Sequence, residues 1–431
     1  MSEPVRVAIN AQINPDTAGG VESSATSIMR YYREHPEQAQ MTVLGLPAYL
    51  EKFQALVGEN HRVARWTHLQ EMQVTPGFGN IWWKRFERVS GPAKPFLDRA
   101  SKHVKRRVLN WRLGQPSGND AELRALDAEV VHFPYGSTFP TNLPFVFEPH
   151  DIQHRHYPEF FHPEQVEWRD RVYGDGCRNA AMVVTGSRWT KKDIMEQFGV
   201  PSERIATIPR SSFNARMDVT AARCRELLAE FKLPKKFAYY PAMTFPHKNH
   251  LRLFEALALL RDRDGLTVPL VMSGRSYKPH MPTLIRALKQ QKLEDQVHLL
   301  RVVPDEMLAA LFRSATFMVF PSLYEGLSQS LLEGLHVELP IVAATQSSIP
   351  ETVGPAALLF DGMDTTAMAD AIAKAWRQPK AMAALATKGG DYYRRYSWDR
   401  GGPMLTAVYR HVTGRKLSAA DQDLLHEALL M

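Results

Sequence analysis

Short apolar runs rich in Val, Ile, Phe and Tyr alternate along the chain with stretches of helical period, the pattern of βα units and parallel sheets. VRVAIN opens the series near the N-terminus. AEVVHFPY (128–135), LPFVFEPHD (143–151) and AAMVVTGS (180–187) follow in the same half. The last leads into RWTKKDIMEQFG, a helix predicted to close at Gly199 and to stop before Pro201. After RIATIP the pattern loosens near Arg210–Asp218. From residue 219 a second series begins, with FAYYPA, LTVPLVMSG, QVHLLRVV, ATFMVFPS, LPIVAA and AALLFDG as buried strands. LRLFEALALLRDR and PDEMLAALFRSA are two of the helices between them.

Two doubly wound α/β halves are therefore expected, 1–212 and 213–395. A helical tail, 396–431, begins with SWDRGGPMLTAVYRHVTG. A length of 431 residues agrees, since it exceeds what one hydrophobic core usually serves. Ligands of such sheets bind outside the carboxyl ends of the strands, and two facing halves predict a cleft.

Composition narrows the class. An apolar content of 44% with mixed charge is that of a folded globular chain. No run of about 18 apolar residues predicts a spanning helix. MSEPVRVAIN reads as a first strand, not as a signal peptide. Cys177 and Cys224, the two cysteines, are expected to be unlinked thiols in a reducing cytoplasm.

Charge is unevenly placed. Between Lys84 and Arg112 stand ten Lys or Arg against Glu87 and Asp98, a local net of +8, whereas the whole chain is +7. The segment 80–113 also carries Trp82, Trp83, Phe86, Phe96 and Trp111. Such interleaving suits an anionic membrane surface or a lipid-linked substrate, and equally a basic helix pair packing its rings inward. Nucleic acid is the weaker reading, because one local segment explains the basicity.

Five stretches carry candidate chemistry. TAGGVESS follows the first strand, and Gly19 and Gly20 permit close backbone approach of a phosphate or sugar, or simply a plain βα turn. PHDIQHRHYPEFFH holds His150 and Asp151, suited to hydrogen bonding a polar ligand; its further histidines make a poor metal set. YYPAMTFPHKNH places Lys248 after a strand and before a helix, where it can meet a diphosphate or lie on the surface before an Asn249 cap. MSGRSYKP adds Gly274 and Arg275 on the same side.

PSLYEGLSQSLLEG is the strongest. Ser330 and Glu333 have the spacing of a capping box. A helix starting nearer Gly326 would instead aim its first amides at a phosphate. Glu325 and Glu333 would then stand about 12 Å apart along the axis, at ~1.5 Å per residue, fit for the two ends of one elongated ligand. A diphosphate between two sugars is such a ligand.

GGVE, HDIQHRHYPEFF, YPAMTFPHKNH, FPSLYEGLSQSLLEG and SIPETVGPAALLFDGMDTTAMADAI together resemble the retaining glycosyltransferases of family four, whose two Rossmann-like domains form the GT-B fold. The resemblance runs from about residue 5 to about 413 and is densest over 239–373. It implies that Glu325 contacts the donor sugar and Glu333 the ribose hydroxyls. Gly326, Leu327 and Ser328 would give amides to the diphosphate, Lys248 its neutralising charge, and His150 a contact to the transferred sugar. Gly19 and Gly20 would face donor and acceptor. The final helix would cross back onto the first domain.

Two departures stand out. Many members carry an Arg shortly before the lysine, where this chain has Ala242-Met243-Thr244; Arg275 and Arg210 are the candidates to replace it. Ser328 and Ser330 stand where many members have Gly and Pro, which bears on donor identity.

The resemblance implies a metal-independent hexosyltransferase with no cofactor beyond its nucleotide-sugar co-substrate. The expected donor is GDP-mannose or a UDP-hexose. The expected acceptor is a glycan or lipid-linked hydroxyl of bacterial surface polysaccharide synthesis, reached in the cytoplasm or at the inner face of the membrane. A sugar-nucleotide epimerase and a non-catalytic binding protein of the same fold are the rival classes.

Overall fold

The computed structural model describes residues 3–13, 20–66, 119–211 and 218–431. Gly19 and the basic segment 80–113, with the expectations placed on them, lie outside the described residues.

Seven strands form the first sheet: β1 Val5–Ala11, β2 Ala39–Gly45, β3 Arg62–Arg65, β4 Val130–Phe133, β5 Phe145–Phe147, β6 Met182–Thr185 and β7 Ile205–Thr207. Their order is β3-β2-β1-β4-β5-β6-β7. The second sheet has β8 Ala238–Pro241, β9 Leu270–Ser273, β10 Val297–Arg301, β11 Phe317–Phe320, β12 Ile341–Ala344 and β13 Ala357–Phe360, in the order β10-β9-β8-β11-β12-β13. The pairs run parallel, as in β8 against β9 and β11 against β12. Both orders are those of Rossmann-like sheets, which reverse direction at one internal pair: β1/β4 in the first sheet and β8/β11 in the second.

The second sheet shows why the apolar runs read as strands. Every residue of β8, β9, β11 and β12 is buried, as sheets covered by helices on both faces require. Its core gathers Tyr239, Tyr240, Phe254, Leu257, Phe317, Val319, Leu332, Ile341 and Ile372. Each large apolar side chain there contributes about 1.5–3 kcal/mol of burial.

The chain divides into two compact units that interleave in sequence. One comprises residues 1–149, 163–183 and 406–418; the other comprises 150–162, 184–405 and 419–431. The helix Trp398–Val412 thus supplies the first unit with its last segment. There Tyr409 OH lies 2.6 Å from His132 Nδ1, and His132 Nε2 lies 2.9 Å from Glu148 Oε1. Arg415 adds an ion pair to Glu129 at 2.7 Å. Both cysteines are buried and free.

Candidate active site

In the second unit, polar side chains converge at the carboxyl ends of β8 and β11, where the strand order reverses. After β8 the chain makes a single turn, Pro246–Lys248, and enters the helix His250–Asp264. Asn249 occupies the cap position but does not cap. It adopts φ 60°, and its Nδ2 donates to Pro321 O at 3.0 Å and Gly362 O at 2.8 Å. One side chain thus ties together the loops that follow β8, β11 and β13.

Lys248 is no surface lysine. Its Nζ donates to Glu325 Oε1 at 2.5 Å and lies 5.6 Å from the centroid of the Phe320 ring. The side chains are only 16% and 11% exposed, so the pair is shielded from most solvent screening. Tyr240 OH donates to Lys248 O at 2.6 Å; burial, with the charge of Glu325 added, pushes this phenol well above its ordinary range.

Glu325 stands in the loop between β11 and the helix Gln329–His336. That helix does not start near Gly326, and Ser330 does not cap it. Ser328 is the cap, its Oγ accepting from Leu331 N at 3.4 Å. The S-x-x-E spacing misled because Ser328 lies two residues earlier on the same Ser-rich entrance, and a cap needs only a hydroxyl beside the first free amides. Glu325 therefore lies outside the helix, so the 12 Å axial spacing to Glu333 does not describe this loop. Glu333 lies within the helix, and its charge, after burial, raises the phenols of Tyr239 and Tyr393.

The loop is held closely. A Cβ at Gly326 would meet His150 O at 2.0 Å and Asp151 Cβ at 3.2 Å, so glycine is required for the approach of the two loops. His150 itself has φ 62°. Asp151 Oδ1 accepts from Gln153 N at 3.1 Å. The structure thus brings Lys248, Glu325, Gly326, His150 and Asp151 together, with Leu327 against Gly186.

Gly274 closes the neighbouring edge. It adopts φ 139°, and a Cβ there would meet Ala242 O at 2.4 Å. Thr244 N donates to Arg275 O at 3.2 Å, fixing the Arg275 backbone beside the loop that lacks an arginine. Arg210 is buried, its guanidinium 5.6 Å from the Trp398 ring. Gly20 opens the helix Gly20–Glu34. Among the described residues no group of three or more His, Cys, Asp or Glu converges on a metal-sized site, and His156 Nε2 instead donates to Asp193 at 2.8 Å. No helix among them is long and apolar enough to cross a membrane.

Several residues of the site escaped the sequence reading. Ser347 and Ser348 hold the Glu325 amide and carbonyl, each at 2.8 Å. Ser187 and Thr190 hold the Gly326 carbonyl, and Tyr324 reaches Asp193. Apart from Tyr324, which adjoins Glu325, they come from segments distant in sequence. Only Ser187 carried a local signal, as the cap of Arg188–Phe198.

Two family models match the chain in tandem: "Glycosyltransferase Family 4" over residues 18–211 and "Glycosyl transferases group 1" over 229–391. The chain belongs to glycosyltransferase family 4. Among curated relatives of this GT-B family, the O-antigen chain mannosyltransferase B of Escherichia coli is 27% identical over 58% of this chain and 66% of its own length. The MMP alpha-(1->4)-mannosyltransferase of Mycolicibacterium hassiacum is 28% identical over 58% of each. The chain thus spans less than two thirds of these relatives' lengths. A solved structure of Anabaena Alr3699/HepE in complex with UDP and glucose matches 94% of this chain and 100% of its own, with TM-score 0.66 and 15% identity; it shares the fold.

Proposed function

We propose that the protein transfers a hexose from a nucleoside diphosphate sugar to a hydroxyl of a glycan or lipid-linked acceptor in surface polysaccharide synthesis, with retention and without a metal. The observation that carries this reading is the Lys248–Glu325 pair at the β8/β11 switch point, where α/β sheets receive their ligands. A lysine there can neutralise the diphosphate as it leaves, and a carboxylate beside it can take hydrogen bonds from the sugar. The relatives named as mannosyltransferases favour a mannosyl donor, with GDP-mannose the first to try and UDP-hexoses the second.

Breaking the bond from anomeric carbon to phosphate places positive character on the sugar and negative charge on the diphosphate. Lys248 would exchange its bond to Glu325 for one to the phosphate oxygens, leaving Glu325 to the sugar. Retention follows from same-face attack, the departing phosphate oxygen taking the acceptor proton. Glu325 is held by Lys248 and is not assigned as a nucleophile.

A thermal-shift panel of GDP, UDP and ADP sugars, followed by transfer assays, tests the reading. One of them should stabilise the protein. Glu333→Ala should weaken nucleotide binding, whereas Glu325→Ala should abolish transfer with nucleotide binding kept. Equal loss of nucleotide affinity in both variants would sink this division of roles, and no stabilisation by any nucleotide would sink the donor site.

A further inference from the structure

We propose that Tyr324, Asp193 and His156 form a positioning anchor that sets the place of Glu325; the proposal rests on the reading of Glu325 as the residue that meets the donor sugar. Tyr324 is the residue immediately before Glu325, is 3% exposed, and donates through its hydroxyl to Asp193 Oδ2 at 2.7 Å. Asp193, 4% exposed on the helix Arg188–Phe198, also accepts from His156 Nε2, at 2.8 and 3.0 Å to its two oxygens. Ile152 N donates to the Tyr324 hydroxyl at 3.3 Å. The Tyr324 ring is boxed by Trp189 and His156, each with centroids at 5.2 Å, and by Tyr157 at 6.3 Å.

A buried carboxylate is unfavourable unless donors surround it, and burial does push the Asp193 carboxyl up. The Tyr324 hydroxyl and the His156 ring oppose that shift. The result is a fixed acceptor on a regular helix, aimed at the residue beside Glu325.

The main chain is clamped in step. Glu325 N donates to Ser347 Oγ and Glu325 O accepts from Ser348 Oγ, both at 2.8 Å. Gly326 O accepts from Ser187 Oγ at 2.7 Å and Thr190 Oγ1 at 3.0 Å. Three consecutive residues are therefore fixed: 324 by its side chain, 325 by its amide and carbonyl, 326 by its carbonyl. What stays free to answer a ligand is the Glu325 side chain and its partner Lys248. A shift at Tyr324 reaches Glu325 over one Cα step of about 3.8 Å. A misplacement of about 1 Å in such a group lowers a rate by about 100-fold.

Tyr324→Phe removes the hydroxyl and keeps the ring. It should lower kcat for transfer ten- to hundredfold, leave the Kd for the nucleoside diphosphate within twofold, and speed hydrogen exchange at the Glu325 amide at least tenfold. Asp193→Asn should lower kcat in the same way, and the double variant should lose little more than the worse single one. A Tyr324→Phe enzyme with kcat within twofold of the parent would overturn the proposal. So would a Kd that rises in step with the loss of kcat, the mark of general loosening. If the parent protein turns over no sugar nucleotide, the transfer reading falls, yet exchange at Glu325 still decides the anchor: unchanged protection in Tyr324→Phe overturns it.

Discussion

Lys248 Nζ and Glu325 Oε1 meet at 2.5 Å across the point where the order of the second sheet reverses. The two residues are 77 positions apart and come from loops after different strands. Their pairing gives each of these largely buried charges a partner of opposite sign.

Breaking the pair from one side should be harsher than removing it whole. Lys248→Met leaves a carboxylate that is only 11% exposed without its cation, and an expected loss of about 3 kcal/mol follows. Lys248→Met combined with Glu325→Gln should recover most of that loss. Urea denaturation of the two variants checks the difference. Transfer activity should fall by at least about 100-fold in both.

Two glycine substitutions should part in opposite directions. Gly326→Ala drives a Cβ to 2.0 Å from the His150 carbonyl oxygen, which belongs to backbone and cannot swing aside; about 1–3 kcal/mol or more of destabilisation is expected. Gly389→Ala, within the helix Pro379–Tyr393, meets the end of Leu335 first, at 3.1 Å. That flexible contact can yield, so the helix preference of alanine should leave it neutral or about 1 kcal/mol more stable. Thermal melts separate the two.

His250 predicts an acid limit. Neither ring nitrogen has a hydrogen-bond partner among the described residues, and the ring packs on Tyr240 at 5.0 Å. Burial, with the charges of His280 and Lys248 added, pushes its pKa down to about 3. A depressed folded value means that the neutral ring is favoured by folding. Its stability contribution is full above the unfolded value of ~6.5 and is lost as pH falls toward 3, by about 3 kcal/mol at pH ~4.5. His250→Phe should flatten that part of the stability profile while leaving the slope due to carboxylates. Denaturant midpoints at pH 7 and 4.5 for both proteins test it.

In the first unit, Tyr409→Phe removes the hydroxyl beside His132 Nδ1 and should lower stability by about 1–2 kcal/mol. Glu148→Ala should cost more, about 3 kcal/mol, by stripping the buried His132 of its carboxylate. A smaller effect for Glu148 than for Tyr409 would contradict the picture of one continuous buried network.

The strands of the second half were legible because they are buried on both faces, so that FAYYPA or LPIVAA leaves no polar alternation to confuse the reading. β3, with the sequence RVAR and exposed ends, left no such trace. β2 escaped although MTVLG is apolar, being one short run between helical stretches. Lys248, Glu325 and Gly326 could be named because each follows a strand of the second sheet, and a parallel sheet puts those ends on one side; His150 follows a strand of the first. Their supports could not. Ser187, Asp193, Ser347 and Ser348 act at 22 to 139 residues' remove from the loop they hold, and one polar residue has no period to betray it. Glu351, whose carboxylate takes the amides of Arg188 and Trp189 at 2.8 and 2.9 Å, is the same case across 163 positions.

The interleaving of the two units along the chain bears on synthesis. The first unit receives Tyr409 only from its third segment, 406–418, so a chain emerging from the ribosome carries His132 and Glu148 for some 270 residues before that hydroxyl exists. At about 5–20 residues per second that is a wait of roughly 15–50 seconds. During it residues 150–162 and 184–405, most of the second unit, are synthesised. The second unit is completed later still, because its own last segment, 419–431, follows that of the first.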